Sequence, residues 1–215
     1  AQKLTLEPEE TNEQELNMLI TRFNAEYNAF MMENFNALYR DRNKNLLDTF
    51  RLRTNQTFGD AENPWFKNYV TYKIASLEQL TRYYNPQKIG SMYFTVMPIL
   101  YRNVEYMDFF NSYFSKYITA TNNTLRKLDY RSLLGSPDSY SALMKALAAD
   151  TLLKPEQLRE LVLLKGAMDL YNTADYYQKD VIRLIAIMAE KSKSEKNREV
   201  AKNILKVLTH LKPGT

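Results

Sequence analysis

The sequence predicts an all-α fold: an irregular bundle of about eight helices with no sheet of consequence. Three observations predict it. Apolar residues recur at spacings of three and four along nearly all of the 215 residues, the period of one helix face. Asn63-Pro64, Ser136-Pro137 and Pro155 stand where such stripes begin, as first-turn prolines do. The single run with strand character, Tyr93 to Met97, stands alone, and one strand cannot make a sheet.

Leu16, Ile20, Phe23, Tyr27 and Phe30 draw the first stripe, on a helix expected over about 12 to 40. Thr11 and Gln14 resemble a capping box at its start. A shorter helix follows with Leu46, Leu47 and Phe50, and the polar stretch from Thr54 to Glu62, holding Gly59, reads as a loop. Asn63-Pro64 opens a helix carrying Phe66, Val70, Ile74, Leu77, Leu80 and Tyr84, which Asn85-Pro86 ends. Residues 86–102 read as a loop or short helix. Met107, Phe110, Phe114 and Tyr117 mark a further helix ending near Ala120, and residues 121–124 are a polar break or a cap.

Ser136-Pro137 caps a helix with Tyr140, Leu143, Met144 and Leu147. Pro155 opens one with Leu158, Leu161, Val162 and Met168. Asp175 is placed to cap another, with Val181, Leu184, Ile185 and Met188. The last begins near Ser194, shows Val200, Ile204, Leu208 and Leu211, and stops at Lys212-Pro213-Gly214. No fixed repeat recurs. Residues 1–215 read as one helical domain, with an extended lead-in over 1–10 and a sub-boundary near 121–136.

Composition narrows the chemistry. With no Cys there is no disulfide, thiolate nucleophile or Cys-ligated metal. One His, His210, rules out a two-His zinc motif, and no Glu-x-x-His is present. The five glycines stand too far apart for a phosphate-binding loop. No cofactor is therefore expected. The net charge of +4 is mild but uneven. Residues 1–33 hold seven acids and two bases, and residues 191–212 seven bases and two acids. The basic tract lacks interleaved aromatics and is interrupted by Glu195 and Glu199, so it reads as a solvated helix rather than a nucleic-acid or lipid surface. No apolar run approaches the roughly 20 residues of a membrane span, and no signal peptide is visible at Ala1.

The aromatic content is the unusual feature, with 16 Tyr and 10 Phe, many within 65–117. Tyrosine suits half-buried seams because its ring is apolar and its hydroxyl needs a partner. Trp65, Tyr69, Tyr106 and Tyr113 are the candidate contact residues, expected to be exposed or half-exposed. His210 shares a helix face with Lys202 and Lys206 and is expected to be exposed and non-catalytic. Glu156, Glu160 and Asp169 fall in a pattern read as solvated.

The tract Asn103-Val104-Glu105-Tyr106-Met107-Asp108-Phe109-Phe110-Asn111-Ser112-Tyr113-Phe114, the opening Phe23-Asn24-Ala25-Glu26-Tyr27 and the ending Leu211-Lys212-Pro213-Gly214-Thr215 resemble the helical region upstream of the thioredoxin-like domain in Bacteroidetes-type exported TlpA/ResA-class thiol-disulfide oxidoreductases. The resemblance covers most of residues 11–215. It implies that this chain is a middle segment, without the Cys-x-x-Cys of the redox domain. It also implies a location in the cell envelope or periplasm, and a contiguous thioredoxin-like domain and a protein substrate as partners. Asp150-Thr151-Leu152 is similar to the Asp-Thr-aliphatic sequon that such bacteria O-glycosylate, and equally to a helix cap. The expected function is a non-catalytic accessory domain that packs against the redox domain or controls access to it. The alternatives are a free-standing helical module binding a peptide or glycan, and an enzyme using clustered carboxylates.

Overall fold

The computed structural model describes residues 15–173 and 177–210, the His210 side chain excepted. Every regular element among the described residues is helical. Ten α-helices run α1 (Leu16–Tyr39), α2 (Lys44–Phe58), α3 (Pro64–Leu80), α4 (Pro86–Gly90), α5 (Val104–Tyr113), α6 (Tyr130–Gly135), α7 (Ser139–Leu147), α8 (Glu156–Tyr171), α9 (Gln178–Lys191) and α10 (Glu195–His210). Two π-helical turns, Ser91–Thr95 and Tyr117–Thr121, and two 3-10 turns, Leu125–Lys127 and Thr151–Leu153, join them. The all-α expectation holds. The suggested capping residues Thr11, Gln14 and Asp175, the lead-in 1–10 and the stop at Lys212-Pro213-Gly214 lie outside the described residues.

Local chemistry sets the helix starts. The Asn63 side chain accepts hydrogen bonds from the Trp65 and Phe66 amides at 2.9 and 3.2 Å, with Pro64 at the first position of α3. Asn43 caps α2 in the same way, and the Ser194 hydroxyl accepts from the Asn197 amide at the start of α10. Four expectations need correction. Ser136-Pro137 does not cap the helix with Tyr140: α7 starts at Ser139 with Asp138 as its N-cap, and Ser136 closes α6. Residues 54–58 are not loop: α2 continues to Phe58, because Thr54 and Phe58 extend its buried face below Leu47 and Phe50. A polar Thr in the stripe hides that continuation. α3 stops at Leu80, before Tyr84, and Arg82 follows with φ of 50°. The helix over Met107 to Ala120 is interrupted after Tyr113. Lys116 takes a left-handed conformation, φ 50°, and its amide donates to Asp169 Oδ2 at 2.9 Å.

The chain divides into two compact units. One comprises Ala1–Pro86 with Asn103–Phe109, the other Gln87–Arg102 with Phe110–Thr215. No unit boundary falls within 121–136.

In the first unit α1, α2 and α3 surround an aromatic core. The fully buried Phe23 ring lies 5.8 to 6.4 Å from Phe50, Phe58, Phe66 and Tyr69, mostly edge-on, the geometry the ring quadrupole favours. The second unit is built around α8. Its residues Leu158, Leu161, Val162, Leu163, Leu164, Ala167 and Leu170 are all buried, so it is packed on most of its sides, as a central helix is. Gly166 lies directly against the Ile118 side chain of the second π-turn.

Candidate functional site

The four aromatics expected to make contacts are spread over both units. Trp65 is half-buried at the first turn of α3 and stacks on Tyr69, with centroids 5.5 Å apart and planes at 24°. Tyr69 is itself buried, at 5% exposure, and donates its hydroxyl to Asn24 Oδ1 at 2.9 Å. Tyr106 is completely buried, edge-on to Tyr72 at 4.8 Å. Tyr113, in the second unit, is half-buried against Phe94 and Phe114. The expectation of exposure is therefore corrected for Tyr69 and Tyr106. Each sits at the inner position of its helix face, so its ring joins the core while the sequence pattern alone leaves core and rim tyrosine alike.

Beneath Tyr69 lies a charged seam. Lys73 Nζ is 2.9 Å from Glu105 Oε1 and lies over the rings of Tyr27 and Tyr69 at 5.1 and 5.8 Å. The ammonium thus has a carboxylate and two π-faces as partners in a half-buried place. Burial, and then the nearby Glu105 carboxylate, push the Tyr27 hydroxyl up to about 12. These groups are mutually satisfied, and the seam is a structural tie between α3 and α5.

The most developed polar cluster lies in the second unit, and the sequence does not point to it. Glu160 belongs to the group read as solvated, but it is only 1% exposed. Its spacing of four and seven from Leu164 and Ala167 places it on a buried face of α8. Tyr140 donates its hydroxyl to Oε1. Ser192 Oγ and Asn197 Nδ2 donate to Oε2 at 2.6 and 2.9 Å. Burial alone raises the pKa of Glu160, but the hydrogen bonds from Asn197, Ser192 and Tyr140 outweigh it and hold the carboxyl below its ordinary value. Burial, and then the hydrogen bond to the Glu160 carboxylate, raise the Tyr140 hydroxyl above the usual tyrosine range.

The network extends outward. Asn197 Oδ1 accepts from the Tyr101 hydroxyl at 2.6 Å, and Gln157 Nε2 donates to Tyr101 and to Ser194 at 3.2 Å each. An open groove of about 470 Å³ lies over it, lined by Glu156, Gln157, Glu160, Lys193, Ser194, Glu195 and Lys196. Lys193 pairs with Glu156 at 3.0 Å across this groove. Both oxygens of Glu160 are engaged by protein donors, so the carboxylate anchors the α9–α10 turn to α7 and α8.

Two further acids, Asp169 and Asp150, also act structurally. Asp169 pairs with Lys165 and fixes the Lys116 amide. Asp150 caps the turn Thr151–Leu153 by accepting from the Leu152 amide at 2.9 Å, and takes hydrogen bonds from Tyr117 and Asn122 at 2.7 and 2.6 Å. Thr151 beside it is exposed. Among the described residues, no three His, Asp or Glu side chains come together as a metal site, and no helix is long and apolar enough to cross a membrane. Comparison of the chain with protein-family models, with curated proteins and with solved structures finds no match.

Proposed function

We propose that this chain is a non-catalytic accessory helical domain of an exported thioredoxin-like thiol-disulfide oxidoreductase, packing against the redox domain or controlling access to it. The resemblance of the tract Asn103 to Phe114 to the helical region upstream of such domains motivates the reading. The observation that carries it is how that tract is used. Its rings Tyr106, Phe109, Phe110 and Phe114 are each 1% exposed or less, so the aromatic richness serves packing rather than an open ligand groove. That favours a scaffold over a free-standing peptide- or glycan-binding module.

The proposal places the chain outside the cytoplasm, with the redox-active cysteines, the protein substrate and the reaction all belonging to the contiguous domain. Reading the parent gene beyond the Thr215 codon tests it. A continuation encoding a thioredoxin-like domain with a Cys-x-x-Cys pair is the expected result. A stop codon, or a continuation of another kind, overturns it.

A further inference from the structure

We infer that the outer face of α1 is a self-complementary surface on which a second copy of this chain docks, the two α1 helices pairing antiparallel about a two-fold axis near Asn28. Asn17, Thr21, Ala25, Asn28, Met32, Phe35 and Tyr39 follow one another at steps of three and four, so they form one stripe down the helix. All seven are exposed, and the stripe lies opposite the buried Leu19, Phe23 and Phe30. It runs for roughly 33 Å at 1.5 Å per residue. The outer face of a solvated helix ordinarily carries its charges. Here the stripe carries none, and its second half holds large apolar groups: Met32 is 86% exposed, Phe35 48% and Tyr39 55%. The Phe35 and Tyr39 rings stack on each other, centroids 5.6 Å apart, in the open.

Two features select a second copy as the occupant. The first is size. The stripe is small over Asn17, Thr21 and Ala25 and bulky over Met32, Phe35 and Tyr39. An antiparallel two-fold near Asn28 brings Tyr39 over Asn17, Phe35 over Thr21 and Met32 over Ala25, large against small in each case. Such an isologous contact meets each residue pair twice.

The second is charge. The four exposed charged side chains of α1 and its two capping residues, Glu15, Arg22, Glu33 and Arg40, all lie on one side of the stripe. None makes an ion pair among the described residues, while the less exposed Glu26 on the same flank has Arg53 at 3.8 Å. An antiparallel pair sets like flanks together. The register that matches the sizes, to within one residue, sets Glu33 beside Arg22 of the second copy and Arg40 beside its Glu15. Opposite charges meet at all four positions.

Sedimentation velocity of the 215-residue chain over a range of concentrations tests this. A concentration-dependent dimer is expected. Phe35→Glu should weaken it at least about tenfold, each copy burying the new charge against Thr21, with the far-UV circular dichroism unchanged because Phe35 is not a core residue. Arg22→Glu and Glu33→Arg should each weaken the dimer, and the double variant should restore it. Because the chain has no cysteine, Asn28→Cys reports the axis directly: it should form a disulfide-linked dimer under mild oxidation, whereas Asn17→Cys should not. A chain that stays monomeric at every concentration, or a dimer indifferent to Phe35→Glu, overturns the inference. The result is independent of what the parent gene encodes after Thr215.

Discussion

Glu160 shows how much one side chain can organise. A buried carboxylate is costly unless its oxygens are satisfied, and here Tyr140, Ser192 and Asn197 satisfy them from three different elements. Hydrogen bonds to a charged acceptor contribute more than neutral ones, so Glu160→Gln should cost about 2 kcal/mol, read as a lower urea midpoint. The pH dependence follows from the direction of the shift. The native pKa is lowered, so the unfolded chain binds the proton more tightly than the folded one. The contribution of Glu160 is therefore complete above the ordinary glutamate value of about 4.3. It is lost as pH falls through the lower, native value. The stability of Glu160→Gln should decline less steeply over that acid range. An unchanged slope would show that the carboxylate is not what the three donors hold. Neither feature is legible in the sequence, where a glutamate four residues after Glu156 looks like one more exposed charge.

Helices are the part of this molecule that the sequence exposes most clearly. Phe66, Leu77 and the other residues at helical spacing, with the Asn63-Pro64 start, locate α3 to within a turn of its first residue. The end of α2 and the break after α5 escape for opposite reasons. Thr54 is buried but polar and interrupts a stripe that continues. Met107, Phe110, Phe114 and Tyr117 continue a stripe although the backbone breaks, at a place where Asp169, far along the chain, accepts from the amide of the left-handed Lys116. Periodicity records burial, and it is blind to such long-range partners. For the candidate contact residues it separates apolar from polar faces but not core from rim, which is why Tyr106 and Tyr113 look alike. A packing prediction belongs at this scale. In α8, a Cβ on Gly166 would meet the Ile118 side chain, so Gly166→Ala should destabilise by about 1–3 kcal/mol despite alanine's better helix propensity. An increase in melting temperature would show that the π-turn holding Ile118 yields freely.

Across the whole molecule, tyrosine contributes to a core that is otherwise Phe and aliphatic: Tyr69, Tyr72, Tyr93, Tyr106 and Tyr130 are buried. Burial is the largest cause of the raised ionisation of Tyr27 and Tyr72, each pushed up to about 12, and of Tyr113, Tyr117, Tyr130 and Tyr140 beyond that. These hydroxyls stay protonated in the folded state where unfolded tyrosine, near 10, would ionise. A raised native pKa means that their contribution is complete below about 10 and is lost as pH rises through the native values. Absorbance titration should therefore show these six tyrosines ionising only above the ordinary tyrosine value, together with the loss of helical circular dichroism. A single transition near 10 with helix intact would contradict the burial. The connectivity of the two units carries a practical corollary. The polypeptide leaves the first unit at Pro86, comes back for Asn103–Phe109 and departs again. A gene fragment ending near residue 86 would strip Lys73 of Glu105 and Tyr72 of Tyr106. Anyone dissecting this protein by truncation should graft that seven-residue return segment rather than cut once.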